Sequence, residues 1–332
     1  MVLTRSLRLS IFKVKIDLKR FENEIMSNIL VIGSSNTDLI AKVDRFPLAG
    51  ETVEGKFFLQ AMGGKGANQA LAAHRLGGSV KFVTCLGDDA NGKNTLKYYR
   101  QEGLDISSVL IVKNTPTGTA MILVNKEGEN VIVITPGANQ ELSRAYVENI
   151  VDEIATARMV VLQMEIPMET VKKVCEVASK YNTKVLLNVA PARAVDASLL
   201  RMVDIVVVNE TEIEKISGMS IEARGEEAVI DSILSMGANT VILTLGRNGS
   251  IVKNNSVRQH IPAFQVDVVD TTAAGDTFCG ALVAQLSKGT DLVEAVRFAT
   301  ASSAICVTRM GAQPSIPREA EVITFLGKHI AV

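Results

Sequence analysis

Short apolar runs alternate along the chain with longer segments of helical periodicity. The runs are rich in β-branched and leucine side chains, a composition typical of buried strands. The predicted strands are Ile29–Gly33, Val80–Cys85, Met159–Gln163, Lys184–Asn188, Ile205–Val208 and Val241–Leu245. The predicted helices are Ala67–Leu76, Ala90–Gln101, Thr170–Lys180, Ala223–Ser235, Ala274–Ser287 and Leu292–Thr308, with a short element near Glu319–Gly327. This alternation predicts an α/β fold with a mostly parallel sheet sandwiched between helices.

Two segments depart from the alternation of strands and helices. Residues 39–60 and 106–134 lack helical periodicity and show alternating polar and apolar positions, with turn residues such as Glu127-Gly128. We expect these segments to form a small antiparallel β-sheet that projects from the core. Beside an α/β active site, such a sheet could serve as a lid that excludes water.

The amino-terminal segment differs from the rest of the chain. Residues 1–25 carry several Lys and Arg side chains but no apolar stretch with a small-residue cleavage site, and their acids disfavour a transit peptide. We expect a non-catalytic leader over residues 1–25, or translation from a start codon upstream of Met26. Since no Pro-, Gly- or Ser-rich linker divides the remainder, residues 26–332 are expected to form one domain with its lid.

Composition excludes several classes of function. The formal net charge is -1, so no global electrostatic attraction to nucleic acid or to an anionic membrane is expected. No apolar run reaches the length of about 20 residues that a bilayer-spanning helix needs. The four cysteines are far apart and form no Cys-x-x-Cys pair, which argues against a zinc site or a disulfide framework. A reducing, cytoplasmic location is therefore expected.

The run Asp270-Thr-Thr-Ala-Ala-Gly-Asp-Thr-Phe278 leads into a predicted helix and carries the strongest chemical signal. Small residues at Ala273, Ala274 and Gly275 would let an anion approach the backbone, and the free N–H groups of a first helical turn would bind it. A carboxylate at Asp276 is then well placed to take a proton from an attacking hydroxyl, as phosphoryl transfer requires. The alternative is purely structural, with Asp270 or Thr271 capping the helix and Asp276 favourably placed near its amino terminus.

A second glycine-rich run, Gly63-Gly-Lys-Gly-Ala-Asn68, precedes another predicted helix. It matches neither the P-loop nor the dinucleotide-binding pattern. Its glycines could bring backbone N–H groups to a polar ligand, and Lys65 and Asn68 would add donors. A simple turn followed by a helix start explains the run equally well when it is taken alone.

Together these two runs resemble the ribokinase-like carbohydrate kinases. Four further stretches agree with that family in order along the chain, and the resemblance covers residues 28–328, about nine-tenths of the sequence. The four stretches are Gly33-Ser-Ser-Asn-Thr-Asp38, Asn209-Glu-Thr-Glu212, Thr244-Leu-Gly246 and Val307-Thr-Arg-Met-Gly-Ala-Gln-Pro-Ser315. The resemblance implies a mostly parallel sheet with a β-sheet lid, and a homodimer that associates through the lid.

The resemblance assigns residues to a sugar pocket, a nucleotide track and an anion hole. Asp276 is implied as the catalytic base, with Ala273, Ala274 and Gly275 forming the anion hole. The implied sugar-binding residues are Asn36, Asp38, Gly64, Lys65, Asn68, Glu165 and Asp276. The implied ATP-binding residues are Asn209, Thr244, Gly246, Gly249, Gly275 and Thr300.

The resemblance also implies two kinds of metal ion. Glu212 would act indirectly on the Mg²⁺ that accompanies ATP; from the residues alone, Asn209 and Glu212 also fit a helix cap with an acid at the third position. An activating monovalent cation, usually K⁺, would lie beside the anion hole. Its implied positions are Asp270, Thr272, Cys306, Arg309, Gly311 and Ser315, with backbone carbonyls acting at Cys306, Arg309 and Gly311.

The activity that the resemblance implies is ATP-dependent phosphorylation of D-ribose at its 5-hydroxyl, giving ribose 5-phosphate and ADP. Two alternatives stay open: a kinase of the same family acting on deoxyribose, fructose or adenosine, and a non-catalytic regulator that binds a sugar or nucleotide. A nicotinamide dehydrogenase is disfavoured, because no Gly-x-Gly-x-x-Gly follows Gly33.

Overall fold

The computed structural model describes residues 29–329. The expected leader over residues 1–25 lies outside this range, as do residues 26–28 and 330–332 of the expected domain. The described strands are β1 (Ile29–Ile32), β2 (Asn36–Lys42), β3 (Phe57–Gly63), β4 (Val80–Gly87), β5 (Val109–Val112), β6 (Gly118–Val124), β7 (Asn130–Thr135), β8 (Met159–Leu162), β9 (Lys184–Asn188), β10 (Ile205–Asn209), β11 (Thr240–Thr244), β12 (Ser250–Asn254) and β13 (Arg258–Ile261).

Eleven α-helices are described in the same range, and most of them follow a strand. They are α1 (Lys65–Arg75), α2 (Ala90–Glu102), α3 (Arg144–Val147), α4 (Val151–Thr156), α5 (Met168–Tyr181), α6 (Ala197–Leu200), α7 (Glu210–Ser217), α8 (Ile221–Ser235), α9 (Ala274–Ser287), α10 (Leu292–Cys306) and α11 (Glu319–His329). Short 3₁₀ turns lie at Gly137–Glu141, Glu148–Ile150, Gly246–Asn248 and Gln313–Ser315. In the described part of the chain, no helix combines the length and the apolar character needed to cross a membrane.

The larger sheet has nine strands in the order β13-β12-β11-β10-β9-β8-β1-β4-β5. Its pairings are parallel from β5 to β11, and β12 and β13 continue the edge as an antiparallel hairpin. Residues of β1 alternate between two apolar layers, because successive side chains of a strand point to opposite faces. Leu30 and Ile32 belong to the layer that contains α5 and α8, whereas Ile29 and Val31 belong to the layer that contains α1, α9 and α10. The expected sandwich of helices around a mostly parallel sheet is confirmed.

The second sheet is small and has the order β3-β2-β6-β7. Its outer pairings are antiparallel, and its central pairing, between β2 and β6, is parallel. The expected lid segments 39–60 and 106–134 contain most of these strands, but β5 does not belong to the lid. Residues Val109–Val112 pair in parallel with β4 at the edge of the large sheet. Leu110 and Val112 pack against its core, which accounts for this placement.

The carboxyl ends of the parallel strands and the start of β2 meet at one edge of the large sheet. Strand β1 leads through Gly33 to β2 of the small sheet, so that polar residues follow directly after a buried strand. In open α/β sheets this edge is where ligands bind. Helices α1 and α9 pack side by side below it, and both begin at this edge.

Candidate active site

Helix α9 begins with a strained turn. Ala273, its N-cap, has left-handed backbone angles (φ 60°, ψ 11°), a conformation that costs an alanine about 1 kcal/mol. The N–H groups of Gly275 and Asp276 have no hydrogen-bond partner within residues 29–329, whereas the N–H of Ala274 donates to the carbonyl of Thr271. Two free donors at the positive end of a 14-residue helix are the arrangement that an anion hole needs, and the anion hole itself stays a prediction.

Asp276 lies in the first turn of α9 and is 5% exposed. Two consecutive residues of α1 donate hydrogen bonds to its carboxylate: Asn68 Nδ2 to Oδ2 at 2.9 Å and Gln69 Nε2 to Oδ1 at 2.9 Å. The packing of α1 against α9 makes this contact. The candidate base is therefore joined directly to the glycine-rich run that the sequence had marked as a separate motif.

The glycine-rich run ends where α1 begins, at a position that only glycine fits. Gly64 is the N-cap of α1 with φ 89°, and a Cβ there would lie 2.7 Å from the backbone nitrogen of Asn36. Asn36 and Asp38 lie on β2, paired with Gly63 and Ala61 of β3. Strand β2 thus brings Asn36 and Asp38 against the start of α1, with Gly64 as the point of contact.

Three carboxylates, which we call the acidic cluster (Asp38, Glu165 and Asp276), surround the start of α1. Glu165 Oε2 accepts hydrogen bonds from Ser34 Oγ at 2.6 Å and from the N–H of Lys65 at 3.0 Å. Burial, followed by the negative charges of Glu165 and Asp276, raises the pKa of Asp38 to about 7 against the lowering effect of Lys65. Burial would lower the pKa of Lys65, but the surrounding carboxylates outweigh it and raise that pKa.

Two cavities meet at the amino terminus of α9. The first, of about 280 Å³, is lined by the predicted nucleotide residues Thr244, Gly246, Gly249, Gly275 and Thr300. The second, of about 200 Å³, contains Lys65, Asn209, Glu212 and Asp276 in its lining. Thr244, Thr271, Ala274 and Gly275 line both, so a ligand in the first cavity would reach Asp276 through the second.

Asn209 and Glu212 form a complete capping box at the start of α7. Asn209 Oδ1 accepts the N–H of Glu212 at 2.9 Å, and Glu212 Oε2 accepts the N–H of Asn209 at 2.9 Å. Burial raises the pKa of Glu212, against the lowering effect of this bond and of Lys65. The structural alternative considered for this pair is confirmed, and the same two residues also line the second cavity.

The predicted cation positions also lie near one another, where the residues before α9 meet the turn that follows α10. Asp270 Oδ1 accepts from the N–H and the hydroxyl of Thr272, and its Oδ2 accepts from the N–H of Gly311 at 2.8 Å. Burial alone would raise the pKa of Asp270, but these hydrogen bonds hold it below the usual value. Cys306 Sγ lies 3.7 Å from the carbonyl oxygen of Thr272 and 3.0 Å from Ser315 Oγ. The side chain of Arg309 turns away to pair with Glu321, so only its backbone faces this group.

Several residues of the site were not found from the sequence. Phe264, Val266 and Val268 line the larger cavity from a loop without periodicity. Asn139, 2% exposed, donates to Asn36 Oδ1 at 2.8 Å and accepts the N–H of Ser35. Gln69 resembles an ordinary helical position next to Asn68. No local pattern identifies these residues, since each acts only through contacts made by the folded chain.

Comparisons with known proteins agree with this geometry. The profile of the pfkB family carbohydrate kinases matches residues 26–319. A ribokinase of Haemophilus influenzae is 40% identical over 297 residues, covering 89% of this chain and 97% of that protein. A deoxyribokinase of Salmonella typhi is 37% identical over 292 residues, with coverage of 87% and 95%.

Among solved structures, ribokinase of Arabidopsis thaliana complexed with ribose and ATP superposes with a TM-score of 0.84 at 33% identity. The match covers 91% of this chain and 99% of that one. The range that the family profile matches contains the strands of both sheets and all residues of the candidate site. The chain belongs to the pfkB family of carbohydrate kinases.

Proposed function

We propose that this protein transfers the γ-phosphoryl group of ATP to the 5-hydroxyl of D-ribose, giving ribose 5-phosphate and ADP. The observation that carries the proposal is the position of Asp276. It lies at the junction of two cavities, beside free N–H donors and in contact with the helix that begins at Gly64. A base between an acceptor pocket and an anion site is the arrangement that phosphoryl transfer requires.

The sugar would bind between the lid and the acidic cluster. Asp38 and Glu165 offer carboxylate oxygens, and Asn36 and Asn68 offer amides, a donor and acceptor set suited to vicinal hydroxyls. With the 5-hydroxyl at Asp276 Oδ2, the carboxylate takes the hydroxyl proton as the sugar oxygen bonds to the γ-phosphorus. The bond from that phosphorus to the β–γ bridging oxygen then breaks, and ADP leaves. The N–H groups of Gly275 and Asp276 stabilise the charge on the transferred oxygens.

ATP would lie in the larger cavity with its phosphates toward α9. The lining there is largely apolar, with Phe264, Val266 and Val268 facing the glycines of the 246–249 turn. The hydroxyl of Thr300 donates to the carbonyl of Val296, so Thr300 would present its methyl group to the adenine ring of ATP. Mg²⁺ arriving with ATP would neutralise phosphate charge, and Glu212 and Asn209 fit beside it because they line the cavity next to Asp276.

A monovalent cation such as K⁺ would bind at the group formed by Asp270, Thr272, Cys306, Arg309, Gly311 and Ser315. The fit rests on oxygen chemistry: the Asp270 carboxylate, the hydroxyls of Thr272 and Ser315 and the carbonyl of Thr272 lie together where the chain turns after α10. Because the N–H of Gly311 and that of Thr272 both bond to Asp270, a cation here would order the turn that precedes the anion hole. In residues 29–329 no group of three or more His, Cys, Asp or Glu side chains is arranged to hold a metal.

The test is a coupled assay of ADP release with purified protein over a panel of sugars, with and without K⁺. We expect release with D-ribose, stimulated by K⁺. The similarity to a deoxyribokinase supports 2-deoxy-D-ribose as the second candidate substrate. A higher kcat/KM for deoxyribose, fructose or adenosine would reassign the substrate, and binding without turnover would favour the regulator.

The lid supports a homodimer as part of the proposal. Large apolar side chains stay exposed on its strands, and β3 and β7 are open edges. They include Phe58 (64% exposed), Met121 (49%), Val133 (54%) and Ile134 (44%). An exposed face of this kind needs cover. Sedimentation at micromolar concentration should give a dimer, and a monomer there would contradict this part of the proposal.

All four cysteines are free and buried, which supports the cytoplasmic location we propose.

A further inference from the structure

A chain of three buried side chains ends at the candidate base. Gln163 Nε2 donates to Gln69 Oε1 at 2.8 Å, and Gln69 Nε2 donates to Asp276 Oδ1 at 2.9 Å. Gln69 and Gln163 are both 0% exposed. The links join three separate elements: the loop after β8, helix α1 and helix α9.

The direction of the hydrogen bonds follows from the chemistry of the groups. An ionised carboxylate only accepts, so Gln69 must turn its NH₂ toward Asp276 and its oxygen away. That oxygen then needs a donor, and the NH₂ of Gln163 is the group that meets it. The amide orientation of both glutamines is therefore set by the charge on Asp276.

The chain is not explained by hydrogen-bond satisfaction alone. Gln163 Oε1 is buried without a partner in the described part of the chain, a cost that an apolar side chain at this position would avoid. The space for Gln163 also depends on glycine at the end of β1. A Cβ on Gly33 would lie 1.9 Å from Gln163 Oε1. A buried amide that leaves one of its own atoms unpaired points to a role for the bond that it does make.

We infer that Gln69, held by Gln163, is the positioning residue of the catalytic base Asp276. The inference rests on the proposed function. The terminal torsion of an aspartate is broad, so a carboxylate held at one oxygen alone would rotate. Gln69 fixes Oδ1 from the protein interior, which leaves Oδ2 directed toward the acceptor hydroxyl. Asn68 donates to Oδ2 and borders the sugar pocket, so it adjusts to the sugar while Gln69 keeps the carboxylate in place.

The test replaces each glutamine by methionine, which keeps the length of the side chain and removes the amide. For Gln69→Met we expect kcat to fall about 10²-fold, the effect of a misplaced reacting group, with KM for sugar and ATP within about threefold of wild type. Gln163→Met should lower kcat about tenfold, because it acts one link further from the base. Gln285→Met is the matched control: Gln285 lies at the far end of α9, and within residues 29–329 its side chain bonds to Thr290 alone.

Two readouts separate positioning from a structural role. The charged carboxylate loses a donor in Gln69→Met, so the acid limb of the kcat–pH profile should move to higher pH. The other ionisable groups near Asp276 all stay unchanged in the variant. They include Lys65 of α1, Asp38 of β2, Glu165 after β8, Glu212 of α7, Cys279 of α9 and Cys306 of α10. The second readout is the double variant, in which Gln163→Met should add nothing to Gln69→Met, because Gln163 acts through Gln69.

Each result decides the matter. Wild-type kcat in both single variants, additive losses in the double variant, or an unmoved acid limb would overturn the inference while leaving the proposed function intact. If Gln69→Met does not fold, Gln163→Met with its pH profile decides alone. If wild-type protein releases no ADP with any sugar, the proposed function fails first and the inference falls with it.

Discussion

The two sides of helix α9 have different linings. On the side of α1 lie charged and amide side chains that are buried or half-buried: the acidic cluster, Lys65 and Asn68. On the side of the larger cavity, the lining consists mainly of glycines and apolar side chains from loops, and the polar groups of Thr244 and Thr300 bond to the chain itself. The free N–H of Gly275 at the open end of α9 is among the polar groups there, with the side chains of Arg247 and Gln265.

This difference predicts strict selection of the sugar on the side of α1 and tolerant binding of the nucleotide on the side of the larger cavity. A pocket of buried charges discriminates strongly, because a ligand that fails to match leaves these groups unpaired. A cavity of apolar walls and backbone donors holds a flat base and a phosphate chain without depending on any one side chain. We therefore expect substitutions on the acidic side to have large, sugar-specific effects, and substitutions on the apolar side to have small effects on ATP alone.

The largest effect should come from Asp276, where the two sides meet. Asp276→Asn keeps the shape of the side chain and removes the base, so we expect kcat to fall about 10²- to 10⁴-fold, the range that a general base supplies. Thermal denaturation should show that the fold is retained. The measurement is steady-state ADP release under saturating sugar and ATP, and activity near that of wild type would remove Asp276 from the mechanism.

Glu165 tests the acidic side without touching the base. Glu165→Gln keeps an acceptor for Ser34 and Lys65 but removes a charge, so we expect KM for the sugar to rise about tenfold as a charge-assisted bond is lost. KM for ATP should stay unchanged. Glu169→Gln, at an exposed position on α5, is the matched control. Equal changes in the two KM values would contradict the division between the sides.

The features that could be predicted from the sequence are those that depend on a short stretch of neighbouring residues. The strand β1 and the helix α9 were found because an apolar run and a nine-residue motif are local patterns. The hairpin of β12 and β13 was missed, since polar residues such as Lys253 and Arg258 interrupt the apolar pattern at the sheet edge.

The same reasoning separates Asn68 from Gln69. Asn68 was marked by its place in a glycine-rich motif, whereas Gln69 is the next residue of an ordinary helical segment. Only the packing of α1 on α9 shows that both reach Asp276. Sequence patterns therefore predicted the elements and the base, and long-range contacts supplied the groups that hold the base in place.

Phe264 tests the apolar side. Its ring lines the larger cavity and packs edge-on against Phe325 at a centroid distance of 5.2 Å. For Phe264→Ala we expect KM for ATP to rise about fivefold, since one aromatic contact contributes about 1 kcal/mol, with no change in KM for the sugar. Phe325→Ala is the control, because it removes the same ring pair without altering the cavity lining. A rise in KM for the sugar as large as that for ATP would argue against separate sides.

The last prediction concerns the stability of the folded protein. It follows from the three carboxylates that lie close together in the acidic cluster. The pKa of Asp38 is about 7 in the folded protein, against about 3.9 for an unfolded aspartate. Between these values the folded state binds more protons than the unfolded state, so the contribution of Asp38 to stability falls as pH rises from about 4 to 7.

Asp38→Asn removes this loss of stability. Its melting temperature should exceed that of wild type by a few degrees at pH 8, about 1 to 2 kcal/mol, and by less at pH 5. Asp152→Asn, on the exposed surface of α4, is the matched control. A difference for Asp38→Asn that does not change with pH would show that the acidic cluster tolerates its charges without cost, and the contrast with the apolar side would then rest on ligand binding alone.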